Sequence, residues 1–409
     1  MNHSEDEDMA GALDGIRVLE LNRVAPGSFC TMMLGDMGAE VIKIETPPQA
    51  GAEKHFDAKQ EDIWVLSEYT NRNKKSVTLN LKDPSAQGIF QEMAAKADVV
   101  VEGFRPGVTA RLGADYATLS QINPRLVYCS LSGFGQDGPY KDKAAHDLNY
   151  LAISGMLNQI GGADGPPPIP LNVIGDYAGA TMHGVIGILL ALFARQSTGR
   201  GQHVDVSYLD TSFALLAAVP GIRNFFIGGP EPHRGENVFS GDQAYYTVYP
   251  TQDGKWFSVG CMEPWLWNNF CDALQRPDLK KYHLQTDDFQ NPASDEQRQV
   301  KTELDAIMQT KTCAQWVDFF ADVDVCVGEV NGLGEEMSDP QLQHREMIVP
   351  VDDERLSDAK QPGISIKLSD TPGKIHSRPP KLGEHTDEII ADLGRSLEQI
   401  ADLRSSGVI

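Results

Sequence analysis

The chain is predicted to be an α/β protein of two domains, and three observations carry that expectation. Between Gly15 and Ser130, short β-branched runs alternate with segments of helical periodicity, the signature of a mostly parallel sheet covered by helices. Beyond Pro220 the texture changes to Gly, Pro and aromatic residues, which marks a smaller α+β domain. With 409 residues, 41% of them hydrophobic, the chain is long enough for two cores.

The elements follow in order. GIRVLEL (15–21) reads as the first strand, GSFCTMMLGDMG (27–38) as a helix, and EVIKIE (40–45) and SVTLNL (76–81) as strands. A helix is expected after Asp83-Pro84, then strands in DVVVEGF (98–104) and LVYCSLS (126–132). Apolar residues at helical spacing give a helix over 147–160, ended by Gly161-Gly162, and a Pro-rich loop, GPPPIP, follows. A second apolar helix starts close to Asp176 and runs to about Arg195, with Gly179, Gly184 and Gly187 allowing close packing; HVDVSYLD (203–210) then alternates as a strand. QAYYTVYPT and KWFSVGCM form a hairpin across Asp253-Gly254, and CAQWVDFFADV is a later helix. The expected organisation is a mobile acidic tail over 1–12, a large α/β domain over 13–220, a small domain over 221–335, and a C-terminal segment over 336–409 that returns to the large domain.

Composition excludes several functions. A net charge of -23 argues against a nucleic-acid partner, which needs clustered Lys and Arg. The run from Met182 to Ala194 is too short to span a bilayer, so no membrane association is expected. Six scattered cysteines without a C-x-x-C pair and without a signal peptide fit reduced thiols in a cytoplasmic protein. The histidines at 203, 233, 344, 376 and 385 are isolated, and no metal is expected.

GFGQDG, with Gly133, Gly135 and Gly138, matches the spelling of a dinucleotide-binding loop. That chemistry needs a helix directly behind the glycines, and Gly138-Pro139 followed by a polar run does not open one. His146 and Asp147 precede one helix and Asp176 opens the next. For each aspartate the reading of an N-cap competes with that of a catalytic carboxylate, the cap being preferred at Asp147. A histidine and a carboxylate converging on one carbon would make an acid/base pair. Glu263, before Pro264 and beside Trp265 and Trp267, is either a first-turn acid or a desolvated carboxylate. Basic residues at Arg23, Lys43, Arg72, Lys74, Lys75 and Arg105 recur at predicted strand ends, where α/β sheets bind ligands, so a phosphate-bearing cofactor fits them. Tyr245, Tyr246, Trp265 and Trp267 are either a bulky apolar acid's surroundings or small-domain core.

The ordered blocks GIRVLEL with Ala25-Pro26, LGDMGAEVIKIE, NRNKKSVTLNLK, VVEGFRPGVTARLG, SGFGQDGPY, PLNVIGDYAGA, TGRGQHVDVSYLD, Glu263-Pro264 and GEHTDEII resemble the family III CoA-transferase and α-methylacyl-CoA racemase group over nearly the whole chain. The resemblance implies a Rossmann-like large domain, a small domain, and two chains interlocked as a homodimer or as a dimer with a paralogous subunit. It implies coenzyme A as part of an acyl-CoA substrate, not a prosthetic group, bound near Ala25, Lys43, Arg72, Lys74, Lys75 and Arg105. A-H-D-L-N-Y and M-E-P place His146, Asp176 and Glu263 at the racemase positions, implying two-base proton transfer at the α-carbon of a 2-methylacyl-CoA. The alternative is a CoA-transferase in which Asp176 is the nucleophile and forms an aspartyl-CoA intermediate. Ala145 replaces the usual glycine and GDQAYY stands where racemases tend to carry GGAP, departures that keep the alternative open.

Overall fold

The computed structural model describes residues 11–22, 25–50, 69–289, 291–353 and 358–409. Most of the expected acidic tail, and Arg23, lie outside them. Two compact units divide the chain: Met1–Tyr150 with Asn172–Thr211 and Pro340–Ile409, and Leu151–Leu171 with Ser212–Asp339.

The first unit is built on a six-stranded parallel sheet of β1 (Arg17–Leu21), β2 (Glu40–Glu45), β3 (Lys74–Thr78), β4 (Val99–Glu102), β5 (Val127–Ser132) and β6 (His203–Ser207). Its order, β3-β2-β1-β4-β5-β6, reverses direction between β1 and β4, which is where ligands bind in open α/β sheets, outside the carboxyl ends of the strands. Because side chains alternate, each strand feeds two cores. Leu19, Ile42, Val77, Val100 and Tyr128 meet Phe90 and Met93 of helix Pro84–Ala95 and the C-terminal Ile389 and Ile390. Val18, Val41, Val99, Cys129 and Leu131 face the other layer. There they meet α1 (Ala25–Asp36) and α3 (Met182–Thr198), which flank α2 (Asp147–Ser154) in sequence. Each fully buried branched side chain contributes about 1.5–3 kcal/mol.

Helix α3 approaches the sheet closely because it presents glycines: a Cβ at Gly184 would lie 2.9 Å from Leu131, and one at Gly187 2.5 Å from Val204. The expected helix start at Asp176 is corrected to Val173, since a π-helical turn, Val173–Thr181, runs into α3 without a break. The combined 26 residues are long and apolar enough to cross a membrane by length and composition, which the apolar run alone did not suggest. One face is nonetheless buried and carries Arg195, ion-paired to Asp98 at 2.9 Å.

Three further boundaries differ from expectation. Strand β3 begins at Lys74, not Ser76, because Lys74 and Lys75 pair in register with Val41 and Ile42. The run HVDVSYLD stops being a strand at Ser207, whose hydroxyl accepts the Asp210 N–H and opens helix Tyr208–Leu216. Helix α2 ends before Gly155, which adopts φ 86°, and the chain then joins the second unit, where Gln159 and Arg234 tie Leu151–Leu171 to its loops.

In that second unit, strands Tyr246–Pro250, Trp256–Gly260 and Val327–Glu329 form an antiparallel sheet, the first two joined through Gly254 at φ 75°. Its core is aromatic: Phe257, Phe270 and Trp316 each stack on Phe320, with Phe270 and Phe320 centroids 5.3 Å apart. Tyr245 and Trp267 are fully buried there, the phenol donating to Asp288 and the indole to Leu279 O, so these two belong to the core.

Candidate active site

The glycine-rich turn leaves β5 and no helix follows it; the next one is α2, at Asp147. The dinucleotide spelling is therefore coincidental, as the sequence context indicated. Gly135 and Gly138 adopt φ 83° and 84°, and Gly133 is bare because a Cβ there would lie 2.5 Å from the Tyr150 hydroxyl. That hydroxyl donates to Ala145 O at 2.8 Å, fixing the backbone just before His146. Asn149 closes the helix entry by accepting the His146 N–H at 3.1 Å, which leaves the exposed imidazole outside the helix.

Asp176 lies within the π-helical turn and is not an N-cap. Its carboxylate accepts from Asn172 Nδ2 at 3.2 Å, and its own N–H donates to Asp147 Oδ1 at 2.9 Å. Thr181 clamps the turn by sharing its hydroxyl between Asp176 O and Pro26 O, tying it to the start of α1. Wide turns of this kind recur at functional sites because they re-aim a side chain within a helix. Half-burial pushes the Asp176 carboxyl up to about 6; Asn172 opposes the rise, neighbouring Asp147 adds to it and His146 opposes it. The Tyr150 hydroxyl is pushed up to about 12 by burial, then by Asp176, with Arg105 acting the other way, and Tyr208 is raised by burial and by Asp176. One neighbourhood of the sheet unit thus holds His146, Asp147, Tyr150, Asp176 and Tyr208, with Arg105 near Tyr150. A carboxyl that titrates near neutrality beside a histidine has the properties of an acid/base pair.

The basic residues do not form one cluster. Arg72 is 1% exposed and spends its guanidinium on both Asp36 oxygens, at 3.0 and 2.7 Å, and on Pro362 O. Lys74, fully buried, donates to Glu20 at 2.7 Å and to Ser28 O at 2.8 Å. These two are corrected from ligand contacts to structural ion pairs, because buried carboxylates that the sequence pattern did not reveal face them. Lys75 sits at the amino end of β3, opposite the ligand edge, and bridges Glu40 and Glu388; Lys43 contacts Asn71 and Glu45. Arg105 is exposed just past the carboxyl end of β4, on a loop whose Phe104 N–H is held by the buried Glu102 at 2.7 Å. Ala25 is the exposed first residue of α1, beyond the carboxyl end of β1.

Glu263, in the second unit, precedes helix Pro264–Ala273 and makes no side-chain cap; its carboxylate is exposed, not desolvated, because Pro264 starts the helix with Trp267 turned inward. Sequence reasoning missed Tyr150, Tyr208 and Asn172, whose only signal was their nearness in the chain to His146 or Asp176 or their place after β6. It also missed Asn22 at the end of β1, which is 3% exposed with both amide atoms unpaired among the described residues.

The fold is a doubly wound parallel sheet, with Asp176 and His146 brought into one neighbourhood of the sheet unit. The chain belongs to CoA-transferase family III, whose model matches residues 13–386. It is 34% identical over 400 residues to an α-methylacyl-CoA racemase of Homo sapiens, covering 97% of each chain. It is also 34% identical over 406 residues to a succinyl-CoA–L-malate CoA-transferase β subunit of Chloroflexus aurantiacus, covering 97% of this chain and 98% of that one. Among solved structures, a CAIB/BAIF family protein from Brucella suis superposes with a TM-score of 0.76 at 29% identity, over 94% of this chain and 100% of that one.

Proposed function

We propose that the protein racemises 2-methylacyl-CoA thioesters by two-base proton transfer, with His146 and Asp176 on either side of the α-carbon. The observation that carries this reading is the pairing of an Asp176 carboxyl raised to about 6 with a histidine close enough to oppose that rise. Proton transfer is fastest when both groups titrate near the working pH, whereas an aspartate used only as nucleophile gains from staying ionised. One base removes the α-proton, the thioester oxygen takes the charge as an enolate, and the other base returns a proton to the opposite face. Backbone amides of the glycine-rich turn are assigned to the enolate oxygen, except that of Gln136, which is bound to Asp205 at 3.0 Å. Glu263, an exposed carboxylate that does not cap its own helix, is assigned to the reaction on the resemblance alone. Arg105 and the start of α1 at Ala25 are assigned to the CoA moiety. Ile186, Leu189, Leu190 and Phe193, an exposed apolar stripe on α3, support assembly as a homodimer.

The CoA-transferase reading retains support from the malate transferase relative at the same identity. Incubation in deuterated water with 2-methylacyl-CoA esters and no acceptor acid separates the two. Deuterium uptake lost in both His146→Ala and Asp176→Asn supports the racemase. Absence of uptake, with CoA passed to an added acid and a hydroxylamine-sensitive adduct on Asp176, overturns it.

A further inference from the structure

We infer that Asp147 is a positioning residue for this chemistry, a buried carboxylate that tethers the π-helical turn through the Asp176 N–H and sets a second acidic group beside the Asp176 carboxyl. The inference rests on the proton-transfer reading of Asp176 and goes beyond it by naming what tunes that group.

Three observations carry it. Asp147 is 4% exposed, although it is the first residue of α2 and an acid there normally points to water or caps its own helix. Its Oδ1 instead reaches across the unit to the Asp176 N–H, 29 residues away in sequence, at 2.9 Å. Its Oδ2 is buried with no hydrogen-bond partner among the described residues. Leaving one oxygen of a buried carboxylate unpaired is costly, and such exceptions call for a functional explanation.

Among the described residues, the basic groups acting on this cluster are His146, on Asp176, and Arg105, on Tyr150. Tyr150 comes from α2 itself and Tyr208 opens the helix that follows β6, and both phenols are raised, hence neutral. Helix α1, packed on the same turn, carries one charged residue, Asp36, at its far end and bound to Arg72. Asp147 therefore acts on Asp176 as a like charge, which favours the protonated carboxyl and adds to the effect of burial.

The test uses Asp147→Asn and Asp147→Ala in the full chain, with racemisation of both enantiomers of a 2-methylacyl-CoA followed across pH. Asparagine keeps the acceptor for the Asp176 N–H but removes the charge, so the limb of kcat/KM set by Asp176 moves toward acid by about one pH unit, with KM unchanged. Alanine also loses the tether, and kcat falls at least about tenfold. A pH profile of the asparagine variant that superimposes on that of the wild type overturns the inference, and this variant carries the test alone should the alanine protein not fold. Asp176→Asn is measured in parallel. Loss of activity there with an unmoved Asp147→Asn profile removes only the role of Asp147, whereas full activity removes the reading of Asp176 and this inference with it.

Discussion

Replacing Asp176 with asparagine is expected to stabilise the protein at neutral pH while abolishing its activity. The carboxyl is raised from its ordinary 3.8 to about 6, mainly by burial. At about 1.4 kcal/mol per pH unit, that difference corresponds to an upper bound of about 3 kcal/mol. Asp176 is only half-buried, so water screens part of the effect and about 1–2 kcal/mol is the expected size. The sign follows from linkage. The folded state holds the proton more tightly than the unfolded chain, so the cost is absent below about pH 4, grows as pH rises through about 6, and is complete above it. Asparagine keeps the size and the acceptor for Asn172 but carries no charge to desolvate. Thermal unfolding of both proteins from pH 4 to pH 8 should give coincident midpoints at the acid end and a widening advantage for the variant toward neutrality. A variant less stable than the wild type at pH 7.5, or an advantage that does not change with pH, refutes the argument that a desolvated charge is maintained there for function.

Other perturbations test the surrounding architecture. Arg72→Met leaves Asp36 buried with only Asn73 as partner and should cost about 3–5 kcal/mol in denaturant unfolding of the sheet unit; a loss below about 1 kcal/mol would return Arg72 to the candidate ligand contacts. In Gly133→Ala the new Cβ falls 2.5 Å from the Tyr150 hydroxyl, so Tyr150 must move and release Ala145, and steady-state kinetics should show kcat reduced at least about tenfold. Arg105→Ala should raise KM for acyl-CoA about tenfold with kcat little changed, and should weaken the dependence of KM on salt. Leu190→Asp with Phe193→Asp places charges on side chains 64% and 73% exposed; if this face carries the proposed homodimer, sedimentation velocity should report a smaller species for the variant than for the wild type, and equal sizes refute that assignment.

Strands β1, β4 and β5 were legible because each is a short, largely apolar run buried on both faces, a pattern that depends only on local sequence. The basic residues were misread for the opposite reason. Whether a lysine reaches solvent depends on what lies across the fold, and Lys74 meets Glu20, 54 positions away, while Arg72 meets Asp36, 36 away. The wide turn at Asp176 was invisible because what holds it is not local: Asp147 binds it from outside, and Thr181, at its own end, ties it to Pro26 O. His146 was legible as a histidine on no apolar face, and it is indeed exposed. Glu263 was legible as the residue before a proline-led helix, but its exposure depends on Trp267 turning inward, a matter of tertiary packing.

Sequence identity does not separate racemisation from CoA transfer here, because relatives named for each stand at 34%. The protonation state of Asp176 bears on the choice more directly. A nucleophilic carboxylate attacking a thioester is weakened whenever it is protonated, so a site built for transfer would surround it with donors or cations. Among the described residues Asp176 instead has one amide donor, from Asn172, together with burial and a neighbouring carboxylate that both favour its proton. A two-base enzyme must begin each turnover with one base empty and the other loaded, so a carboxyl that can hold a proton is an asset in either direction. An aspartate holds its proton toward neutrality only in surroundings that oppose its charge, which is the condition half-burial and Asp147 create.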